Sequence, residues 1–209
     1  MKLTVFGATG GTGREVVRQA AAAGHEVTAV VRDPARLAAV PGVAVVRADV
    51  MDPAGIASAL AGADAVVSAL GNREIRRPTT VCSAGVSSIV AAMKGAGVRR
   101  LAVVSASGMV TDDADDLLTR YVAKPILQRI LAQNFADLKR MEQIVRESGL
   151  DWTIVRPSRL LDGPRGEYRV QIGRNLRGGR ATRRADLADC ILRSLDDETS
   201  FHEAISVAK

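Results

Sequence analysis

The stretch Lys2-Leu3-Thr4-Val5-Phe6-Gly7-Ala8-Thr9-Gly10-Gly11-Thr12-Gly13 decides the fold of this chain. Lys2–Phe6 reads as a short strand, and Thr12–Ala23 reads as a helix stopped by Gly24. A glycine triplet carries weight only between a strand and a helix, and this one stands there. Gly7 permits the tight turn, Gly10 lets the backbone come close to a diphosphate, and Gly13 lets the helix pack on the strand. Unpaired N–H groups at the positive end of the helix then form an anion site. The Thr9 and Thr12 hydroxyls can add hydrogen bonds to it.

Outward from this turn, short apolar runs alternate with amphipathic stretches. Strands are expected at Glu26–Val31, Val43–Arg47, Ala65–Ala69, Arg100–Ser105, Trp152–Arg156 and Glu203–Val207. Helices are expected at Asp52–Leu60, Thr80–Lys94, Phe135–Ser148 and Ala185–Leu195, with a short one opened by Asp33-Pro34. Gly108–Ala132 reads as an irregular connection containing a helix that begins at Pro125, and Leu161–Thr182 as a Gly- and Arg-rich loop. Alternation at this spacing implies an α/β fold: a Rossmann-type three-layer αβα sandwich on a doubly wound, mostly parallel sheet. Neither a linker nor an internal repeat divides residues 1–209, so a single domain is expected.

Composition narrows the function classes. Apolar residues make up 47% of the chain and aromatic residues 3%. So few aromatics exclude a base-stacking platform for nucleic acid, despite a formal charge of +6. That charge suits an anionic cofactor or substrate. Cys82 and Cys190 have no CxxC spacing and read as reduced packing residues, and no metal site is expected. No apolar stretch reaches membrane-spanning length, and no secretory h-region precedes the first strand, so a cytoplasmic location is expected.

The end of the second strand separates NAD from NADP. An acidic residue there would accept from a ribose 2′-OH. This chain reads Val31-Arg32-Asp33-Pro34-Ala35-Arg36 instead. Arg32 and Arg36 lie a helical turn apart and can clamp a 2′-phosphate, while Asp33 caps the following turn. NADP(H) is therefore the expected cofactor.

The GATGGTG turn resembles that of the atypical short-chain dehydrogenase/reductase superfamily. Leu70-Gly71-Asn72-Arg73, Pro78-Thr79-Thr80-Val81 and Val90-Ala91-Ala92-Met93-Lys94 sharpen the likeness. They resemble the NAD(P)H-binding, NmrA-like group, on the side of the biliverdin-IXβ reductase and NADPH flavin reductase branch. Arg146–Leu150, Trp152–Pro157 and Gly166-Glu167-Tyr168 continue it. The resemblance implies a cofactor site of Gly7, Thr9, Gly10, Gly11, Thr12, Arg32 and Arg36. It places Asp49 and Val50 at the adenine, and Leu70, Gly71 and Arg73 near the diphosphate and ribose. Val104–Ser107 and Pro157-Ser158-Arg159 would flank the nicotinamide, with Pro157 on the cofactor and Ser158 and Arg159 toward the substrate. The chain departs from the flavin reductase pattern at Ala106 and Arg159, where that branch has serine and histidine. The branch suggests a monomer acting on a small, planar molecule, with flavin as substrate rather than resident cofactor. The sensor branch of the same group binds the dinucleotide without turnover.

An acid–base apparatus is hard to find. Tyr121-Val122-Ala123-Lys124 is one residue short of the Tyr-x-x-x-Lys of orthodox relatives, and Tyr168 has Ile172 where a lysine would be needed. His25 and His202 fall in turns. Ser105 and Ser107, at the end of the fifth strand, are the best polar candidates. This favours acceptors such as flavin, quinone or a biliverdin-like tetrapyrrole, whose remaining proton can come from solvent. Arg174, Arg177, Arg180, Arg183 and Arg184, with Arg76, Arg77 and Arg159, could rim a pocket for an anionic substrate.

Overall fold

The structure is a computed structural model that describes residues 1–72 and 78–209. Eight strands form one sheet in the order β3-β2-β1-β4-β5-β6-β10-β8. They are β1 (Lys2–Phe6), β2 (Glu26–Val31), β3 (Val43–Arg47), β4 (Ala65–Ser68), β5 (Arg100–Val104), β6 (Asp151–Pro157), β8 (Arg169–Ile172) and β10 (Glu203–Ala208). Every pairing is parallel except that of β10 with β8. A small parallel pair, β7 (Arg159–Leu161) with β9 (Ala181–Arg183), stands apart.

Period-two alternation sends β1 to both faces. Leu3 and Val5 join a cluster with Val16, Val17, Leu187 and Ile191. Phe6 joins the other, with Ile56, Ile89, Met93, Met141 and Val145. The first cluster lies under α1 (Gly11–Ala22) and α6 (Arg184–Asp196). The second lies under α2 (Pro53–Ala57), α3 (Val81–Ala96) and α5 (Ala132–Arg146). Parallel strands covered on both faces need continuous apolar runs, which Ala65-Val66-Val67 and Leu101-Ala102-Val103 provide.

Two stretches carry more structure than the sequence reading gave them. The segment read as a loop, Leu161–Thr182, contains β8 and the start of β9. Its strands are only three or four residues long, so alternation gives little signal. The connection after β5 winds through a π-helical turn, Thr119–Ala123, before α4 (Lys124–Ile130). The helix therefore starts one residue ahead of Pro125. The short helix after Asp33 is a single 3₁₀ turn, and the Asp33 carboxylate accepts from the Ala35 N–H at 3.1 Å.

Packing at the glycine turn is tight. Gly7 holds φ +77°, and a Cβ there would run into the Ala69 backbone on β4's exit. A Cβ on Gly13 would overlap the Gly7 carbonyl and approach the Ala8 Cα within 2.9 Å. These obstacles are backbone and cannot rotate away. Gly13→Ala should therefore lower unfolding stability by about 1–3 kcal/mol in urea denaturation, beyond a surface Gly→Ala change.

Candidate functional site

The chain order reverses between β1 and β4, and a cleft opens beyond the C-terminal ends of these strands, as expected at such a switch point. Its volume is about 910 Å³. At its floor, α1 starts without a side-chain cap and without an acidic residue in its first turn. The Gly10 N–H is used within the turn, donating to Gly7 O at 2.9 Å. Gly7, Thr9, Gly10, Gly11 and Thr12 all line the cleft. An open helix N-terminus facing a cavity fits a diphosphate.

Arg184, the first residue of α6, crosses this floor. Its Cδ and Nε lie 2.6 Å from where a Cβ on Gly11 would stand. Gly11 thus leaves room for a guanidinium beside the anion site. That guanidinium pairs with Asp162 at 2.7 Å, but Asp162 is 90% exposed, so the pair is weak.

One end of the cleft is basic. Arg32 and Arg36 line it, joined by Arg14, whose Nη2 donates to the Arg36 carbonyl at 2.8 Å. Next to them the wall is apolar. Val50 and Leu70 line it, and both reach toward Gly85 of α3, where a Cβ would stand 2.6 Å from Leu70 Cδ1. Asp49 also lines the cleft, with Oδ1 accepting from the Met51 N–H at 3.0 Å. A flat apolar slot beside cationic side chains suits an adenosine phosphate. Gly71 lies on the lining too, whereas Arg73, Arg76 and Arg77 fall outside the described residues.

At the other end, Val104, Ser105 and Ala106 form the wall, with Asn134 and Leu138 of α5 opposite. The Ser105 hydroxyl donates to Glu142 Oε1 at 2.7 Å. Arg156 holds both oxygens of that carboxylate, through Nε at 2.8 Å and through Nη2. All three side chains are buried. The Ser105 proton is thus engaged by a buried carboxylate, with Met109 Sδ 3.8 Å from the same hydroxyl. Ser107 is not on the lining; it opens the 3₁₀ turn Ser107–Met109, and its carbonyl accepts from Val110 at 3.2 Å.

Pro157, Ser158 and Arg159 are placed elsewhere as well. Pro157 pairs with Val207 in the sheet, the Ser158 hydroxyl donates to Gly179 O at 3.0 Å, and Arg159 lies in the β7–β9 pair. Leu160 takes the place on the lining that this turn was expected to fill. Of the five arginines from 174 to 184, only Arg184 borders the cleft; Arg174 and Arg177 border a smaller hollow of about 240 Å³. Tyr121 is 67% exposed, and Lys124 is tied to Asp115 at 2.6 Å, so they form no acid–base pair. Tyr168 donates to Asp189, and burial pushes its phenol above the ordinary range. Neither histidine lines the cleft: His25 lies 3.4 Å from the N-terminal amine, and His202 stands edge-on to Trp152.

Sequence reasoning missed Arg14, Asn134, Leu138, Leu160 and Cys82 among the lining residues. Arg14 had a signal, since it follows the last glycine on the exposed face of α1. Asn134 and Leu138 come from a helix brought to the cleft only by the fold. Among the described residues no cluster could hold a metal ion, and no helix is long and apolar enough to cross a membrane.

Comparison with known proteins agrees with this geometry. The model of a family described as NAD(P)H-binding matches residues 7–198. A (4-alkanoyl-5-oxo-2,5-dihydrofuran-3-yl)methyl phosphate reductase from Streptomyces griseus is 36% identical over 156 residues, 74% of this chain and 46% of that protein. An isoflavone reductase homolog from Zea mays is 39% identical over 106 residues, 46% of this chain and 32% of that protein. The chain thus spans less than half the length of these curated relatives. Among solved structures, a Veillonella parvula short-chain dehydrogenase/reductase in complex with NADP superposes with TM-score 0.81 at 20% identity, covering 100% of this chain and 94% of that one. A candidate NADH-flavin reductase from Streptococcus pneumoniae gives TM-score 0.79 at 24% identity, covering 100% and 99%.

Cys82 lines the cleft, yet burial raises its thiol to about 12, with Asp137 nearby adding to the shift. Burial likewise raises Cys190 to about 12. Both should stay protonated and unreactive at neutral pH. Native protein at pH 8 should give no prompt labelling by a disulfide reagent, and denatured protein should label at both. Fast native labelling that Cys190→Ala leaves in place would show that the cleft wall opens at Cys82.

Proposed function

This chain belongs to the NAD(P)H-binding family, and from that premise we propose that it is an NADPH-dependent reductase passing hydride to a planar acceptor such as a flavin, a quinone or a biliverdin-like tetrapyrrole. When bound, the reduced nicotinamide supplies the hydride. The chain's own residues bind, orient and exclude water. The N-terminus of α1 and Arg184 would hold the diphosphate, with Arg184 exchanging its exposed partner Asp162 for the more charged ligand. Arg14, Arg32 and Arg36 would hold the 2′-phosphate, and Asp33 is not on the lining; its Oδ1 accepts from the Ala35 N–H.

One observation carries the choice of acceptor. The inner wall offers Ser105, whose proton goes to Glu142, and α5 offers only a neutral amide and an aliphatic side chain. Reducing an alcohol-forming carbonyl needs a placed proton donor. Reducing a flavin needs hydride at N5 and a proton that water can deliver. The names of the Streptomyces griseus and Streptococcus pneumoniae proteins support reductase chemistry on this scaffold.

The test follows the absorbance of reduced nicotinamide with FMN, riboflavin, quinones and biliverdin as acceptors. Turnover of at least one of them is expected. Tight NADPH binding without turnover on any would overturn the reductase reading in favour of a redox sensor. For the cofactor, Arg32→Ala should weaken NADPH about tenfold while leaving NADH nearly unchanged, a loss of about 1.4 kcal/mol. Arg184→Ala should weaken both dinucleotides alike, since both carry the diphosphate. An unchanged NADPH-to-NADH ratio in Arg32→Ala would remove the NADP assignment.

A further inference from the structure

The helix that follows the connection after β5 is amphipathic in the reverse sense. Residues 117–130 form one continuous helix, the π-helical turn Thr119–Ala123 running into α4. Its polar side chains hold it to the body of the protein. Lys124 is buried, and its Nζ donates to Asp115 and to the Val110 carbonyl, both at 2.6 Å. One turn on, Gln128 Nε2 donates to the Gly108 carbonyl and to Thr111 Oγ1, both at 3.2 Å. Leu118, Val122, Ile126 and Ile130 repeat every four residues. They stand two positions from Lys124 and Gln128, about 200° round the helix, and so face solvent. The wider π-helical turn between Leu118 and Val122 offsets the drift that a four-residue step makes on a 3.6-residue helix, which keeps the stripe straight. Leu117 and Tyr121 lie beside it, and all six side chains are 48–75% exposed. A surface helix ordinarily turns such a stripe toward the core.

We propose that this face is the interface of a symmetric dimer, in which the helix 117–130 packs antiparallel against the same helix of a second copy. Two observations select that occupant. The first is area. The largest apolar patch of an ordinary monomer covers about 300–600 Å². Six large side chains at this exposure reach the top of that range and come near the ~800 Å² that each partner of a standard interface buries. The second is charge. Asp113 and Asp116, both exposed, stand at the N-terminal end of the helix, and Arg129, also exposed, stands at its C-terminal end. An antiparallel two-fold brings each acidic end onto the partner's basic end, so the face is its own complement and closes as an isologous pair. Parallel packing would set like charges together. An anionic lipid surface fits less well. Helices that lie on membranes carry Lys and Arg on the polar face. Here Asp112, Asp113, Asp115 and Asp116 stand directly ahead of the apolar stripe, and Lys124 is already paired with Asp115. The dimer departs from the monomer that the flavin reductase branch suggests. It stands whether or not the cleft turns over an acceptor.

Sedimentation equilibrium of the full chain tests this. Twice the mass of one chain is expected at roughly 10–100 µM, with dissociation on dilution. Ile126→Glu, which sets a charge in the centre of the face, should weaken the dimer about thirtyfold. Leu118→Glu should act alike and serves as the second variant if Ile126→Glu is unfolded. Far-UV circular dichroism should match wild type in both, because both side chains face solvent in the monomer. The antiparallel order has its own check. Asp113→Lys and Arg129→Glu should each weaken the dimer about fivefold, since the two-fold axis counts every change twice. The double variant, with the charges exchanged, should return to within about twofold of wild type. A monomer at every concentration would overturn the dimer. If that monomer also cosedimented with vesicles of phosphatidylcholine and phosphatidylglycerol, the face would be assigned to a membrane surface instead. A dimer that neither glutamate variant weakens would place the interface elsewhere and overturn the assignment. Loss in both single charge variants without recovery in the double variant would overturn the antiparallel order.

Discussion

The seat of Gly13 against the Gly7 carbonyl is the contact on which the site depends. It brings the start of α1 directly over the end of β1, so that open helix N–H groups point along the sheet into the cleft. A side chain at either glycine would lift the helix from the strand. The anion site would then lose both its depth and its alignment with the switch point between β1 and β4. Arg184 extends the same constraint, since Gly11 leaves the space its side chain crosses. Three glycines thus position a helix dipole and a guanidinium on one spot, and the combination is stronger than either charge alone.

The opposite wall is held by charge buried in pairs. Asp137 of α5 is fully buried and accepts from the N–H groups of Cys82 and Ser83 at 2.9 and 3.2 Å. It therefore caps the start of α3, where Thr80 makes no side-chain cap bond and Thr79 Oγ1 accepts from the Val81 N–H alone. Arg140 lies 3.6 Å from the same carboxylate. One helix turn on, Glu142 joins Arg156 of β6 and Ser105 of β5. Such pairs add little net stability against apolar replacements, but removing one partner strands the other charge at a cost of about 3–5 kcal/mol. Their effect here is geometric, because they fix α5 relative to α3 and the sheet while leaving the cleft between them open.

These two kinds of support explain what the sequence disclosed. The cofactor half is built from local signals: a strand, a glycine turn, a helix start, and arginines at the next strand end. Gly7, Thr9, Gly10, Gly11, Thr12, Arg32, Arg36, Asp49, Val50, Leu70 and Gly71 were all legible, and all border the cleft. Arg14 shared that local signal. The acceptor half is assembled from residues far apart in sequence. Asn134 and Leu138 reach the cleft only because Asp137 and Glu142 pull α5 against α3, β5 and β6. No spacing announces such a contact. Ser107 and Pro157–Arg159 lie off the lining for the complementary reason. A strand end indicates nearness to the cleft, but the 3₁₀ turn after β5 and the β7–β9 pair redirect the next residues. A strand as short as β8 escapes a reading by alternation, since four residues give the pattern too few repeats and its pairing with β10 supplies the order.

The same division bears on chemistry. Backbone and arginine contacts grip a dinucleotide without touching the reacting end, so they can serve a reductase and a sensor equally well. What separates the two is whether the acceptor wall holds a second ring in register with the first. Here that wall contains no titrating group with a proton to spare among the described lining residues, because Ser105 is committed inward and the Cys82 thiol is held protonated by burial. A wall of this kind cannot assist by acid catalysis. What it offers is placement, through an apolar surface at Leu138. On the proposed reading, hydride transfer between two stacked rings asks for little beyond such placement.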